Sequence, residues 1–235
     1  MLQRVEDLYE PFKQKKSTRA SKAKEKGLEP LALVFWAQEL ESGSLEELAG
    51  PYVDEEKGVA NTAEAIQGAM DIIAEMIADD PELTAIVRDR TQRAGLISST
   101  AEDPKESTVY DLYYEFSEGI SKIPDHRVLA INRGEKEKKL KVKVIAPIEE
   151  LHKDMQKFVI KNEKSIFTQL LNDVIEDSYK RLMAPSIERE MRNLLTERAE
   201  KEAVKVFAKN TEKLLMVPPV KNARIISIDP GYRTG

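Results

Sequence analysis

An uninterrupted helical pattern occupies the stretch between Pro185 and the pair Pro218-Pro219. Apolar residues recur there at intervals of three and four, which predicts a single helix over residues 186–216. At 1.5 Å per residue this helix is about 45 Å long, more than one domain normally needs internally. A helix of this length usually connects parts of a larger assembly. The chain is therefore expected to be mainly α, with a long C-terminal connecting helix.

The first half of the chain carries further helix signals. Asn61 stands three residues before Glu64 at the start of an apolar stripe, as in a capping box. Asp80-Pro81 repeats the sequence of a cap followed by a proline, and Gly95 stands where a left-handed C-terminal residue is favoured. This spacing predicts two antiparallel helices joined by a tight corner. With the later helices they give a multi-helix bundle.

The pattern changes after Pro124. Residues 127–132 and 140–144 alternate between apolar and polar on either side of the turn-like sequence Arg133-Gly134-Glu135-Lys136. This alternation predicts one β-hairpin within residues 127–145, with lysines on its wet face. From Pro147 onward the pattern is helical again. Residues 223–228 are typical of a short apolar strand that delivers Asp229 to a turn.

Composition restricts the chemistry that this chain can perform. Its 235 residues are 41% hydrophobic and 34% charged, and no run approaches 18 apolar residues, so a globular cytoplasmic protein without membrane segments is expected. Zero Cys and two His leave no thiolate site and too few ligands for a His-rich metal centre. The sequence lacks a phosphate-binding loop and an assembled nucleophile and base. We therefore expect no enzyme activity, no catalytic residue, no metal, no cofactor and no small-molecule substrate.

The net charge of -5 conceals an uneven distribution along the chain. Residues 1–27 carry a balance of +4, residues 28–125 a balance of -16, and residues 126–235 a balance of +7. An acidic middle between basic ends is compatible with nucleic-acid binding at the basic ends. The alternative is that these charges only solvate helix faces.

Basic residues cluster around Thr18, which is a candidate helix cap. Such cations favour phosphate because binding releases counterions from nucleic acid; a solvated helix, or pairing with the acidic middle, is the alternative. The tyrosines at 110, 113 and 114 and Phe116 suit base stacking, although their spacing favours helix core or a domain contact. The cations proposed for phosphate contact are Lys13, Lys15, Lys16, Arg19 and Lys22.

Four segments resemble the Tex family of bacterial transcription accessory proteins. They occur in the order in which Tex proteins carry them, across nearly the whole chain. The first segment is Tyr9-Glu10-Pro11-Phe12-Lys13 followed by Thr18-Arg19-Ala20 and residues 26–32. The others are residues 123–135, residues 182–190, and Asp229-Pro230-Gly231-Tyr232-Arg233-Thr234-Gly235.

The resemblance implies a division of the chain. Residues 1–122 would be the helical, helix-turn-helix-like N-terminal region, and residues 123–222 the hairpin and long helices of the Tex core. Residues 223–235 would be the first strand of an incomplete, ribonuclease-H-like YqgF domain that begins around Asp229. Whole Tex proteins continue through YqgF, helix-hairpin-helix and S1 domains, of which S1 is the expected main nucleic-acid binder.

These observations favour a non-catalytic scaffold and accessory nucleic-acid-binding region of a Tex-like factor, in which RNA or DNA is held weakly and without sequence preference. Arg127, Arg133 and Lys136 join the N-terminal cations as phosphate contacts, which position a nucleic acid without reading its sequence. A protein-interaction module whose acidic middle meets the transcription machinery is the second hypothesis. The third is the remnant of a metal-dependent nuclease, which depends on Asp229 and on carboxylates from elsewhere in the parent protein.

Overall fold

The computed structural model describes residues 17–218 and 221–228. Five helices lead from the start of this part of the chain to a small sheet. Most of them begin at residues whose side chains accept the first free amides: Thr18, Ser44, Asn61 and Asp80. These helices are α1 (Arg19–Glu25), α2 (Glu29–Ala37), α3 (Leu45–Ala49), α4 (Thr62–Ala78) and α5 (Pro81–Ala94).

Helix α4 lies at the centre of this first group and packs against α1, α2 and α3. Its apolar side chains are almost fully buried, including Ile72, Ile73 and Ile77. Gly68 allows the closest approach, because a Cβ atom there would lie 2.3 Å from Leu28 Cδ1. The predicted pair of helices around Asp80 is present as α4 and α5.

The sheet has three antiparallel strands in the order β2-β1-β3. Strand β1 (Leu96–Ala101) lies in the middle, between β2 (Glu115–Gly119) and β3 (Leu140–Ile145). Gly95, which precedes β1, has φ -73° and is extended, so the prediction of a left-handed residue there is wrong. Helix α5 therefore continues directly into the central strand.

The predicted β-hairpin within residues 127–145 is wrong in its first half. Residues Asp125–Lys136 form helix α6, and only Leu140–Ile145 form a strand. Val128 and Ile131 are both buried and lie three residues apart, a spacing that fits one face of a helix, whereas in a strand they would point to opposite faces. Gly134 extends this face because a side chain there would collide with Leu140. The partner of β3 is β1, which sequence patterning missed.

The C-terminal half is dominated by one long helical run. Helix α7 (Ile148–Val159) precedes α8 (Thr168–Asp177), which continues through a π-helical segment (Ser178–Met183) into α9 (Ala184–Leu215). Pro185 lies in the first turn of α9, as predicted, but α9 continues the widened π segment without a break. A proline within a helix lacks an amide donor and crowds the preceding turn, which a π segment can accommodate.

Only the first half of α9 belongs to the core. Ile187, Met191, Leu195 and Ala199 are buried at intervals of four residues, and no residue of the helix after Ala199 is buried. Phe207 is 73% exposed and Leu214 is 74% exposed. The helix therefore projects beyond the packed body, as expected of a connecting helix, and the mainly α prediction is confirmed.

The division of the chain at residues 122 and 222 stays a prediction. Residues 223–228 are exposed and pair with no described strand. Asp229 lies outside the described residues. Within residues 17–218 and 221–228, no helix combines the length and the apolar character needed to cross a bilayer.

Candidate nucleic-acid interface

Helix α1 positions the first group of candidate cations. Thr18 and Ser21 form a capping box, in which Thr18 Oγ1 accepts from the Ser21 amide at 2.9 Å and Ser21 Oγ accepts from the Thr18 amide at 2.8 Å. Ala20 and Ala23 are buried against α4, which leaves Arg19 and Lys22 on the exposed side. Lys13, Lys15 and Lys16 lie outside the described residues.

The cations of α1 differ in how strongly other groups hold them. Lys24 lies 3.4 Å from Glu29, and Lys26 Nζ donates to the Gly58 carbonyl at 2.6 Å. Arg19 contributes a favourable field at Asp71. Lys22 has no ion pair with a described residue. Lys22 is thus the α1 cation with most freedom to meet a phosphate.

Helix α6 positions the second group. Arg127 Nη1 lies 2.8 Å from Glu118 Oε2, and its guanidinium lies 5.8 Å from the centre of the Phe116 ring. Arg127 is therefore held by strand β2. Arg133 and Lys136 are exposed in the last turn of α6, where the helix dipole favours cations, and neither is ion-paired within the described part of the chain.

The two groups are carried by separate elements. Helix α1 packs mainly on α4, whereas α6 packs mainly on α9 and β3. Arg19 and Lys22 are therefore carried by a helix whose main packing partner differs from those of the helix that carries Arg133 and Lys136.

Two arginines that sequence reasoning missed fasten α6 to α9. Arg192 Nη2 donates to Glu135 Oε2 at 2.5 Å and to Asn132 Oδ1 at 3.1 Å. Arg198 donates to Asp125 Oδ1 at 2.7 Å and to a backbone carbonyl at 2.6 Å. Their partners are more than fifty residues away along the chain, so no short sequence pattern predicts these contacts.

The π segment is attached to α4 by a buried polar contact. Arg181 Nη2 lies 3.1 Å from Asp71 Oδ1 and 2.6 Å from Asp177 Oδ2. Burial raises the pKa of Asp71, while the guanidinium of Arg181 and that of Arg19 oppose the rise. Ser178 Oγ also donates to the Ala74 carbonyl at 2.8 Å. The widened turn is thereby fixed in position on α4.

The aromatic cluster does not form an open platform. Tyr110 is 5% exposed, and burial, followed by a hydrogen bond with Glu137, raises its pKa. Tyr113 and Phe116 pack edge to face with ring centres 5.3 Å apart. Tyr110 precedes a 3-10 turn (Asp111–Tyr113), Tyr113 ends it, and Phe116 lies in β2, so the cluster is not on one face of an α-helix. Their packing is internal, which agrees with a core or domain contact better than with base stacking.

Strand β3 adds one cation that was not among the predicted contacts. Lys143 is exposed and lies opposite Ser98, which in turn lies opposite Ser117, so the three form a polar row across the outer face of the sheet. Lys139 and Lys141 are paired with Glu106 at 2.6 Å and Glu102 at 3.0 Å. The lysines at alternate positions from 139 to 143 are the sequence pattern from which Lys143 could have been predicted as an exposed cation.

Groups of acidic and histidine side chains that could hold a metal ion are not found in the described part of the chain. His126 is exposed, and His152 packs edge to face on Tyr179 with ring centres 6.2 Å apart. The described residues present exposed cations on α1 and α6, and they fix the long helix at its base.

Comparison with known proteins identifies the class. A sequence model described as Tex central region-like matches residues 41–207. The chain therefore belongs to the Tex family.

Individual relatives agree with this assignment. YdcI of Bacillus subtilis is 46% identical over the whole chain, and the transcriptional accessory protein Tex of Neisseria gonorrhoeae is 31% identical over 98% of it. The human S1 RNA-binding domain-containing protein 1 is 31% identical over 98% of the chain. The chain spans 33%, 31% and 24% of these three proteins respectively.

Proposed function

We propose that this part of a Tex-like transcription accessory factor is a non-catalytic scaffold that also makes accessory contacts with nucleic acid. The observation that carries the scaffold role is the helical run from Thr168 to Leu215. Its base is fixed by Arg181, Arg192 and Arg198, and its last turns leave the body with apolar side chains exposed. A helix with a fixed base and a projecting end that exposes apolar side chains suits a scaffold that holds other domains in place.

The accessory role depends on exposed cations without ion pairs among the described residues. Lys22, Arg133 and Lys136 meet this description, whereas Arg127 is largely occupied by Glu118. Such side chains contact phosphates without reading bases, so the expected ligand is RNA or DNA of any sequence. The names of two relatives, a transcriptional accessory protein and an S1 RNA-binding domain-containing protein, support a ligand of this kind.

The salt dependence of binding tests the contact role. Affinity of the chain for a labelled 20-nucleotide RNA is measured by fluorescence anisotropy at several salt concentrations. Each lost phosphate contact should lower the slope of log K against log salt by about 0.7 for a single strand. Arg133→Gln with Lys136→Gln should therefore reduce the slope by about 1.4. Lys139→Gln with Lys141→Gln is the matched control, because both lysines are already paired with glutamates.

Two results would contradict the proposal. A slope near zero, or no binding at low salt, removes the nucleic-acid contact and leaves the scaffold role alone. Cleavage of the RNA in the presence of Mg²⁺ that disappears with Asp229→Asn would contradict the non-catalytic part and favour the nuclease hypothesis.

A further inference from the structure

Strand β2 is a free edge of the sheet in the described structure. The Ala101 amide donates to the Tyr114 carbonyl at 3.1 Å, and the Ile120 amide donates to the Gly95 carbonyl at 3.0 Å. Because antiparallel pairs alternate along a ladder, every second residue between these two bonds also faces β1, and the others face away. The backbone groups of Glu115 and Ser117 therefore point outward, and no described group bonds to them.

The opposite edge of the sheet, on β3, is covered by a helix. On β3 the outward amide of Val144 donates to Glu188 Oε1 at 3.0 Å, so α9 covers that edge. Proteins usually protect an exposed edge by such contacts, by prolines or by bulges, because an open edge accepts another strand. Strand β2 has a carboxylate at Glu115 but no covering element among the described residues.

An ordered turn next to this edge exposes two apolar side chains. Val109 is 87% exposed and Leu112 is 86% exposed. The turn is held by its own hydrogen bonds: Asp111 accepts from the Thr108 amide at 2.6 Å and from the Ser107 hydroxyl at 2.7 Å. Leu112 lies three residues before β2, so the turn that carries both exposed side chains leads directly into the strand with the free edge.

The charge of this region selects the kind of partner. Residues 102–118 contain six acidic residues and one lysine. Three of the acids are paired with Lys139, Lys141 and Arg127, and the remaining charge is still negative. Such a surface repels phosphates and attracts basic side chains. A polypeptide fits it and a nucleic acid does not.

We propose that the free edge of β2, together with Val109 and Leu112, binds an extended basic segment of another protein by strand addition. The main chain of the partner bonds to Glu115 and Ser117, its apolar side chains contact Val109 and Leu112, and its cations lie near the acids of residues 102–118. Main-chain bonds supply affinity in this mode, and the side chains supply selectivity. This surface does not include Lys22, Arg133 or Lys136, the unpaired cations proposed to contact nucleic acid, so either role can fail without the other.

Synthetic peptides labelled with fluorescein test the proposal on the whole chain. The probe alternates lysine or arginine with valine over seven residues. One comparison peptide replaces the basic residues by glutamate, and another replaces the valines by proline, which cannot donate to an edge. The basic valine peptide should bind at least ten times more tightly than either comparison peptide, and it should slow hydrogen exchange of the Ser117 amide.

Variants of exposed residues locate the site. Leu112→Ser should weaken binding about tenfold, since the contact of one leucine side chain is lost and no charge is added. Leu214→Ser is the matched control, because Leu214 is 74% exposed on α9, and it should leave binding unchanged. Ser117→Pro removes an outward amide and should weaken binding, whereas Ser117→Ala keeps the amide and should not.

Three outcomes would overturn the proposal. Equal binding of the proline peptide would show a charge effect without strand addition. Undetectable binding of the basic valine peptide, or binding unaffected by Leu112→Ser, would exclude this surface as the binding site. Competition by a 12-nucleotide RNA at equal concentration would indicate that nucleic acid occupies this face instead.

Discussion

Replacing Arg181 by methionine isolates the contact that fixes the π segment to α4. Methionine keeps much of the apolar stem of the side chain and removes the charge. The substitution leaves the Asp71 carboxylate, whose side chain is 11% exposed, without the partner at 3.1 Å. A buried carboxylate that loses its cation is expected to destabilise the folded chain strongly.

The magnitude follows from the exposure of each partner. Loss of a charge-assisted bond to a largely buried carboxylate costs about 2–3 kcal/mol. The second pair, with Asp177, adds no more than about 0.5 kcal/mol because that carboxylate is 43% exposed and lies one turn away on the same helix. Arg181→Met should therefore lower the free energy of unfolding by about 2–3 kcal/mol at pH 7.

The effect has a distinct pH dependence. Burial already raises the pKa of Asp71 above its ordinary 3.8, and removal of Arg181 raises it further. Folding then favours the protonated carboxyl, so stability falls as the pH rises from 3.8 through the pKa of the folded state, and it falls more in the variant. The difference between the two proteins should be full at pH 7 and should shrink towards pH 4.

Urea unfolding followed by circular dichroism, at pH 4 and pH 7, measures this difference. The double variant Asp71→Leu with Arg181→Met should recover most of the loss, since it leaves no unpaired buried charge; Asp177 also loses Arg181 but is 43% exposed. Arg93→Met is the control, because the Arg93–Asp89 pair is 78% and 55% exposed and its loss should cost about 0–0.5 kcal/mol. A loss that is equal at both pH values, or that Asp71→Leu does not repair, would refute the reasoning.

Three further predictions concern packing, the covered sheet edge and the ordered turn. Gly68→Ala should lower the free energy of unfolding by about 1–2 kcal/mol through overpacking, whereas Gly50→Ala, with open space around it, should leave the urea midpoint nearly unchanged. Glu188→Ala should speed hydrogen exchange of the Val144 amide about tenfold because its acceptor is removed; unchanged exchange would argue against the bond. A hydroxyl and an amide of the turn lower the pKa of Asp111 below 3.8, so its contribution should persist above that pH and be lost as the pH falls through the folded-state value; an NMR titration midpoint at or above 3.8 would contradict this.

Local signals in the sequence predicted local structure well. Thr18, Asn61 and Asp80 are caps in the structure as predicted, because a cap depends only on a side chain and the amides two or three residues later. The buried apolar face of α4 was likewise predictable, because its apolar residues recur at intervals of three and four. The long helix was predicted within two residues of its observed bounds, but its continuity with the helical run that starts at Thr168 was not.

Other features depended on partners far away in the sequence. Strand β1 reads Leu-Ile-Ser-Ser-Thr-Ala, too polar to be recognised without the strands beside it. In α6 the apolar positions fit two periodicities over a few residues, and only burial against α9 decides for the helix. Arg127 was correctly seen as a cation, but its pairing with Glu118 depends on β2 lying next to α6. The link between Asp71 and Arg181 spans 110 positions and has no local signature.

The projecting end of α9 acts as a mechanical lever. Residues 200–215 extend about 24 Å beyond Ala199, the last buried residue of the helix. A tilt of about 10° at that point displaces the tip by about 4 Å. Small rearrangements of the bundle are thus amplified at the far end, and whatever is attached there shifts by more than the diameter of a water molecule while the base hardly moves.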